Sequence, residues 1–120
     1  MTYITVSPKN SAAESLTAEA SDTLCNLLRA ATEEILQIPS DDIIVEMNRC
    51  TVFTFDQSAV DAGVAPDVVL TFATSDRHLQ PKFSTLRDRV LHDWDGRFEA
   101  VRLEVWFTLI DVWGSSAAGA

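Results

Sequence analysis

The sequence predicts an α+β fold in which two β-α-β units form one four-stranded mixed sheet with two helices on one face. Two observations lead to this prediction. Four segments have the residue pattern of strands, and two of the intervals between them have apolar residues at helical spacing. A strand–helix–strand crossover makes the two strands of a unit parallel and right-handed. The helices of both units then cover the same face of the sheet.

The first unit starts at the beginning of the chain. "TYITV" is rich in strand-forming residues, and the apolar residues from Leu16 to Leu36 recur every three or four positions, as on one face of a helix. Thr17 is the expected N-cap of this helix, and Pro39 lies beyond its end. "DDIIVEMNRCTVFTF" then alternates, which predicts one long half-buried strand over residues 41–55.

The second unit follows the segment "DQSAVDAGVAP", which has no period and is expected to be a loop. "DVVLTFAT" is a nearly continuous apolar run, typical of a central strand. "SDRHLQPKFSTLRDRVLHDWDG" predicts a second helix, with Pro81 in its first turn and Gly96 at its end. "AVRLEVWFTLID" alternates as a last strand, and its Trp106 faces away from the main apolar set.

The 120 residues are enough for one domain. We expect a single domain over residues 1–114, with a pseudo-repeat of 1–56 and 66–112, and a flexible tail over 115–120. Val52 and Trp106 lie on the strand faces opposite the main apolar set, so the second face of the sheet is partly apolar. Such a face usually needs a partner, and we therefore expect an oligomer.

Composition excludes several classes of function. The net charge of -9, from 18 acidic and 9 basic residues, argues against binding to nucleic acid or to an acidic membrane. We expect no transmembrane helix and no signal peptide, because no apolar run is long enough and a basic n-region is absent. Two cysteines without a CxxC motif are typical of a reduced, cytoplasmic protein.

Cofactor motifs are also missing from the sequence. His78 and His92 stand alone, without a cysteine or carboxylate at metal-ligand spacing, so no metal site is expected. The chain has only four glycines and lacks a glycine-rich phosphate loop, a G-x-S-x-G element and a zinc signature. We expect no cofactor.

Three short patches carry a resemblance to a known family. They are "LQIPSDDIIVEM", "VVLTFATSDRHLQPK", in which Arg77 precedes Lys82 by five residues, and "IDVWGSSAAG". In order and spacing they resemble the tautomerase superfamily, in particular its long-chain members similar to malonate semialdehyde decarboxylase, macrophage migration inhibitory factor and 5-carboxymethyl-2-hydroxymuconate isomerase. The resemblance implies a homotrimer whose three sheets wrap into a barrel, with the helices outside.

The resemblance also implies catalytic residues. The family's catalytic group is an N-terminal proline, but Thr2 stands at this position, and Pro8 and Pro66 are internal amides without a basic lone pair. Classical proline chemistry is therefore not possible. The amine of Thr2, exposed by removal of Met1, could act as a base or activate its own hydroxyl; otherwise Thr2 is an ordinary strand residue. Asp42 matches an acid of the decarboxylase branch that could orient water, or it is a plain loop acid.

Substrate-binding residues follow from the same resemblance. Arg77 matches an arginine that holds a substrate carboxylate, for which a guanidinium with two parallel donors is well suited. It could instead be a solvated arginine or pair with Asp76. Lys9 matches a basic residue after the first strand. Trp106 and Trp113 could supply apolar pocket walls, or belong to the core or the subunit interface.

Two functions remain open from the sequence. One is an isomerase, hydratase or lyase that acts on a small 2-oxo or unsaturated carboxylic acid without the usual proline. The other is a catalytically silent trimer that binds small anions or serves assembly on the same scaffold. In both cases the expected partners are further copies of the chain and a small carboxylate-bearing molecule.

Overall fold

The computed structural model describes residues 1–49, 55–98 and 101–110, and within them a four-stranded mixed sheet. The order across the sheet is β2-β1-β3-β4. The strands are β1 Thr2–Pro8, β2 Ile43–Met47, β3 Val68–Thr74 and β4 Leu103–Leu109.

The directions of strand pairing show that the strands of the two units run in opposite directions. β1 is parallel to β2 and β3 is parallel to β4, whereas the central pair β1–β3 is antiparallel and sets Thr2 opposite Thr74. The predicted parallel strands within each unit are confirmed. As a result, β1 and β2 begin at the end of the sheet where β3 and β4 finish, and we call it the Thr2 end. The opposite end, where β1 finishes and β3 begins, is the Pro8 end.

The helical segments are more numerous than the sequence suggested. They are α1 Ser11–Glu19, α2 Ser21–Leu36, α3 Gln57–Asp61 and α4 Phe83–Asp95, with 3₁₀ turns at Ser40–Asp42 and Arg77–Lys82.

The prediction of a single first helix capped by Thr17 is wrong. The true cap is Asn10, seven residues before Thr17. Its side-chain oxygen accepts the N–H of Ala13 at 2.8 Å, and α1 begins at Ser11. Thr17 is buried inside α1, where its hydroxyl donates to the carbonyl of Glu14 at 3.1 Å. The chain then breaks at Ala20, and α2 begins at the next residue.

Other boundaries differ as well. The expected loop contains α3, because the Asp56 carboxylate accepts the N–H of Ala59 at 3.2 Å and caps a short helix. Pro81 lies in the 3₁₀ turn that precedes α4, not in the first turn of α4 itself. The strand predicted over residues 41–55 ends at Met47, and its positions 50–54 lie outside the described residues.

The hydrophobic core lies between one face of the sheet and the helices α2 and α4. Alternate residues of the central strands point into it, including Ile4, Val6, Leu70 and Phe72, all of them buried. The Phe107 ring stacks on Phe72 with centroids 5.0 Å apart and on Phe83 at 4.8 Å. The predicted strands β1 and β3 are confirmed, and burial alternates along both of them.

The second face of the sheet is open and partly apolar. Tyr3, Ile44 and Trp106 are 43%, 37% and 57% exposed there. The Trp106 indole N–H donates to Glu104 at 2.9 Å, so this exposed ring is held against its own strand. In the described part of the chain, none of the helices has the length and apolar character needed to span a membrane.

Arg89 joins α2 to α4. Its guanidinium contacts Glu34 and Asp93, each at 2.9 Å. These two hydrogen bonds, aided by the carboxylate charges, raise the pKa of Arg89. Partial burial raises the pKa of Asp93, but the hydrogen bonds and charges of Arg89 and His92 outweigh it, so the pKa of Asp93 is lowered overall.

Asp67 organises the Pro8 end. One carboxylate oxygen accepts the Asn10 side-chain amide at 2.9 Å, and the other accepts the backbone N–H of Arg102 at 2.8 Å. Its carbonyl accepts the N–H of Lys9 at 2.7 Å. One residue therefore ties together the end of β1, the start of α1, the start of β3 and the approach to β4.

Replacing Asp67 by alanine should lower the free energy of unfolding by about 1–3 kcal/mol, because the Asn10 side-chain amide and the Arg102 backbone N–H lose their charged acceptor. Urea unfolding followed by circular dichroism measures the change. Asp95→Ala is the matched control, since Asp95 is an exposed acid at the end of α4. Equal losses in the two variants would contradict the role given to Asp67.

Candidate functional site

The candidate site lies at the Thr2 end of the sheet. Parallel pairing in the first unit puts the residues that precede β1 and β2 side by side, because Thr2 is in register with Ile43. Met1 and Asp42 are therefore neighbours. Arg77 begins the 3₁₀ turn that follows β3, whose last residue Thr74 is also at this end.

Met1 and Asp42 form an ion pair at this end of the sheet. The amino group of Met1 lies 3.1 Å from the Asp42 carboxylate, and both side chains are about half exposed. A carboxylate in contact with an amine can accept and return a proton, and solvent reaches this pair. The structure thus gives Asp42 a partner that the sequence alone did not identify.

Thr2 lies next to this pair but points elsewhere. Its side chain is 2% exposed and belongs to the face of β1 that the helices cover. With Met1 in place, the Thr2 nitrogen is a backbone amide and carries no basic lone pair. Its predicted catalytic role stays a prediction that depends on removal of Met1.

Arg77 is exposed at the same end of the sheet. The turn around it is shaped by Asp76, whose carboxylate accepts the N–H of His78 at 2.9 Å and whose own N–H donates to the Thr74 hydroxyl at 3.2 Å. Within residues 1–49, 55–98 and 101–110, no hydrogen bond or ion pair of the Arg77 side chain is found, and this includes the alternative of a pair with Asp76. The guanidinium is therefore available for a ligand.

The remaining predicted site residues lie elsewhere. Lys9 follows β1 at the Pro8 end, about 20 Å from Thr2 along a seven-residue strand. Trp106 is in the middle of β4 on the open face, opposite Thr71. Trp113 lies outside the described residues. The structure brings Thr2 and Asp42 together and puts Arg77 at the same end, but does not bring Lys9 or Trp106 there within one chain.

A cavity of about 620 Å³ lies away from these residues, in a cleft between α2 and α4 that is open to solvent. Its lining includes His92 and Asp93, a pair that the sequence analysis did not single out. The Asp93 carboxylate is occupied by Arg89, and the His92 ring is 87% exposed at 3.4 Å from it. Asp93 is therefore better explained as a support for Arg89, which contacts Glu34 of α2, than as part of a reactive centre.

Among the described residues, no group of three or more histidine, cysteine, aspartate or glutamate side chains is placed to hold a metal ion.

Comparison with solved structures identifies the fold. The chain has the fold of the tautomerase superfamily, so the resemblance stated from the sequence is confirmed at the level of the fold. No family model matches the sequence. No curated protein matches it either.

Three solved structures illustrate the similarity. A member of the cis-3-chloroacrylic acid dehalogenase family superposes with a TM-score of 0.69 at 18% identity, over 98% of this chain and 81% of that one. A 5-carboxymethyl-2-hydroxymuconate delta-isomerase superposes with a TM-score of 0.65 at 14% identity, over 100% of this chain and 87% of that one. Macrophage migration inhibitory factor from Toxoplasma gondii superposes with a TM-score of 0.60 at 10% identity, over 98% of this chain and 97% of that one. The three proteins named from the sequence all have counterparts among the similar structures.

Proposed function

We propose that this protein is a homotrimeric enzyme that isomerises, hydrates or cleaves a small 2-oxo or unsaturated carboxylic acid at the Thr2 end of its sheet. The observation that carries the proposal is the pairing of Asp42 with the Met1 amino group at 3.1 Å, at the same end as the exposed Arg77. In this proposal, Arg77 anchors the substrate carboxylate, and the pair of Asp42 and the amino group moves the proton at the same end of the sheet.

The proposed roles follow from the chemistry of each group. Arg77 holds the substrate carboxylate through two parallel charge-assisted hydrogen bonds. The proton is moved by the amine that precedes β1, which is that of Met1 or, after removal of Met1, that of Thr2. Asp42 orients this amine or a water molecule in its place. No step requires a proline.

The names of the similar structures support the substrate class. Chloroacrylic acid and carboxymethyl-hydroxymuconate are both unsaturated carboxylic acids, and these are the compounds for which two of the similar proteins are named. Because these proteins are only 18% and 14% identical to this chain, their names support the class of substrate and not a particular compound.

The open face supports the proposed trimer. Tyr3, Ile44 and Trp106 would be covered if three sheets wrapped into a barrel with their helices outside. In such an assembly, Trp106 and Lys9 of one copy could approach the Thr2 end of another, which would reconcile their distance within one chain. We also assign the protein to the cytoplasm, since its described cysteine, Cys25, is free and half-buried.

Arg77→Ala should lower kcat/KM for an enol or 2-oxo acid such as phenylenolpyruvate by about ten- to a hundredfold, because a charge-assisted hydrogen-bonding partner is lost. Steady-state kinetics with purified protein measures it, after intact mass has established which residue carries the terminal amine. Arg87→Ala is the matched control, because Arg87 is an exposed arginine that pairs on the surface with Asp88. Equal kcat/KM in wild type, Arg77→Ala and Arg87→Ala would refute a role for Arg77.

A catalytically silent, anion-binding trimer is the second candidate. It is favoured by Thr2, a buried residue at the position where the family has its catalytic proline. Calorimetry separates the two functions. Binding of a small carboxylate that is lost in Arg77→Ala, without turnover by the wild type, would identify the silent protein. Turnover that is lost in Asp42→Asn while the carboxylate still binds would identify the enzyme.

A further inference from the structure

Arg29 holds the turn that carries Asp42. This arginine is in the middle of α2, and its guanidinium reaches the 3₁₀ turn Ser40–Asp42. Nη1 donates to the Ser40 carbonyl at 2.6 Å and to the Ser40 hydroxyl at 3.0 Å, and Nη2 donates to the Ile43 carbonyl at 3.0 Å. The two nitrogens thus hydrogen-bond to Ser40 before Asp42 and to Ile43 after it.

Backbone hydrogen bonds also support the turn. Its internal hydrogen bonds run from the N–H of Asp42 to Pro39 at 3.0 Å and from the N–H of Ile43 to Ser40. Residues 40 and 41 are exposed, and Asp42 is half-buried. Among the side-chain hydrogen bonds and ion pairs of the described residues, those that reach residues 40–42 come from Arg29 and, at Asp42 itself, from the Met1 amino group.

We propose that Arg29 is a positioning residue that sets the Asp42 carboxylate against the amine at the start of β1. The guanidinium is suited to this, because it is planar and presents its donors in a fixed fork, so that one side chain can bind two carbonyls at once. A lysine ammonium at the same place would be a single point charge and could not span both. The inference rests on the proposed function only in treating Asp42 as a site residue.

Two measurements test the inference without any need for turnover. The first is amide hydrogen exchange at Asp42 and Ile43, whose N–H groups are bonded within the turn. The second is the rate at which an acylating reagent labels the Met1 amino group, followed by peptide mapping on the full chain after intact mass has confirmed Met1. Because neither readout involves a substrate, inactivity of the wild type would refute the proposed function and leave this test valid.

Arg29→Met should accelerate exchange at Asp42 and Ile43 by at least about tenfold, the loss expected for hydrogen bonds to a charged donor. It should also raise the rate of Met1 labelling by about two- to fivefold, the range expected for an exposed ion pair. Arg29→Lys should lie between wild type and Arg29→Met in both measurements. Arg87→Met, which removes an exposed arginine from α4, should change neither.

A double-mutant comparison separates positioning from general stability. In the Asp42→Asn background, Arg29→Met should give no further increase in Met1 labelling, because the carboxylate that Arg29 positions is gone. An equal increase in both backgrounds would show that Arg29 does not act through Asp42 and would overturn the inference. Unchanged exchange at Asp42 and Ile43 in Arg29→Met would also overturn it. If Arg29→Met does not fold, a folded Arg29→Lys that matches wild type in both measurements would do the same.

Discussion

Trp94→Ala should lower the free energy of unfolding by about 3–5 kcal/mol, the range for deletion of a large aromatic side chain from a core. Trp94 is 1% exposed on the inner face of α4, and its ring packs against Phe98 with centroids 4.7 Å apart. Removal leaves a cavity between α4 and its neighbours that the surrounding side chains can fill only in part. The lost contacts and the residual cavity both act against the folded state.

Urea unfolding at fixed protein concentration measures this effect, since association would otherwise contribute to the apparent stability. Trp106→Ala is the matched control, because it makes the same substitution at a ring that is 57% exposed in the single chain. Under conditions in which both variants are monomeric, it should cost well under half as much. Similar losses for Trp94 and Trp106 would contradict the core described here.

Trp106→Asp should break the proposed trimer. Truncation of an aromatic hot-spot residue at the centre of an interface costs about 2 kcal/mol or more, and a carboxylate buried in its place adds a desolvation cost. Since the substitution occurs once in every copy, the loss is repeated at each interface. The single chain should still fold, because the Trp106 side chain is exposed in it and makes its hydrogen bond to Glu104 on the surface.

Size-exclusion chromatography with light scattering, over a range of micromolar concentrations, measures the assembly. Val60→Asp is the matched control, because Val60 is an exposed apolar residue on α3 and not on the sheet. It should leave the mass of the assembly unchanged. A wild-type monomer at these concentrations, or a Trp106→Asp trimer as stable as the wild type, would refute the open face as the subunit interface.

Much of the sheet was predictable because its signal is local. β3 is a nearly continuous apolar run and the sequence of β4 alternates, and both patterns predict strands without any knowledge of distant contacts. Helix starts were less predictable, since a cap depends on which side chain reaches a free N–H. Asn10 and Thr17 are both good caps by residue type, and only the structure shows that Asn10 takes this role.

The candidate site was predictable only in part. Asp42 and Arg77 were proposed because they match short family patches, and the topology places both at one end of the sheet. The hydrogen bond of Arg29 to Ser40 joins residues 11 positions apart, and the contact between Met1 and Asp42 joins the residues that precede the two strands of the first unit. Neither has a periodic signal in the sequence, because each depends on how a connection folds back on its helix or strand.

The antiparallel pairing at the centre of the sheet has a consequence for folding kinetics. β1 and β3 come from different units, and Thr2 pairs with Thr74 across more than half the chain. Each unit alone would leave its inner strand with an unpaired edge, so neither can reach a low free energy before the other arrives. The search for this distant partner should set the rate of folding, and the two units should form in one cooperative step. During synthesis, β1 must wait for β3 to be made, and its bare edge is the point at which misassembly with another nascent chain would begin.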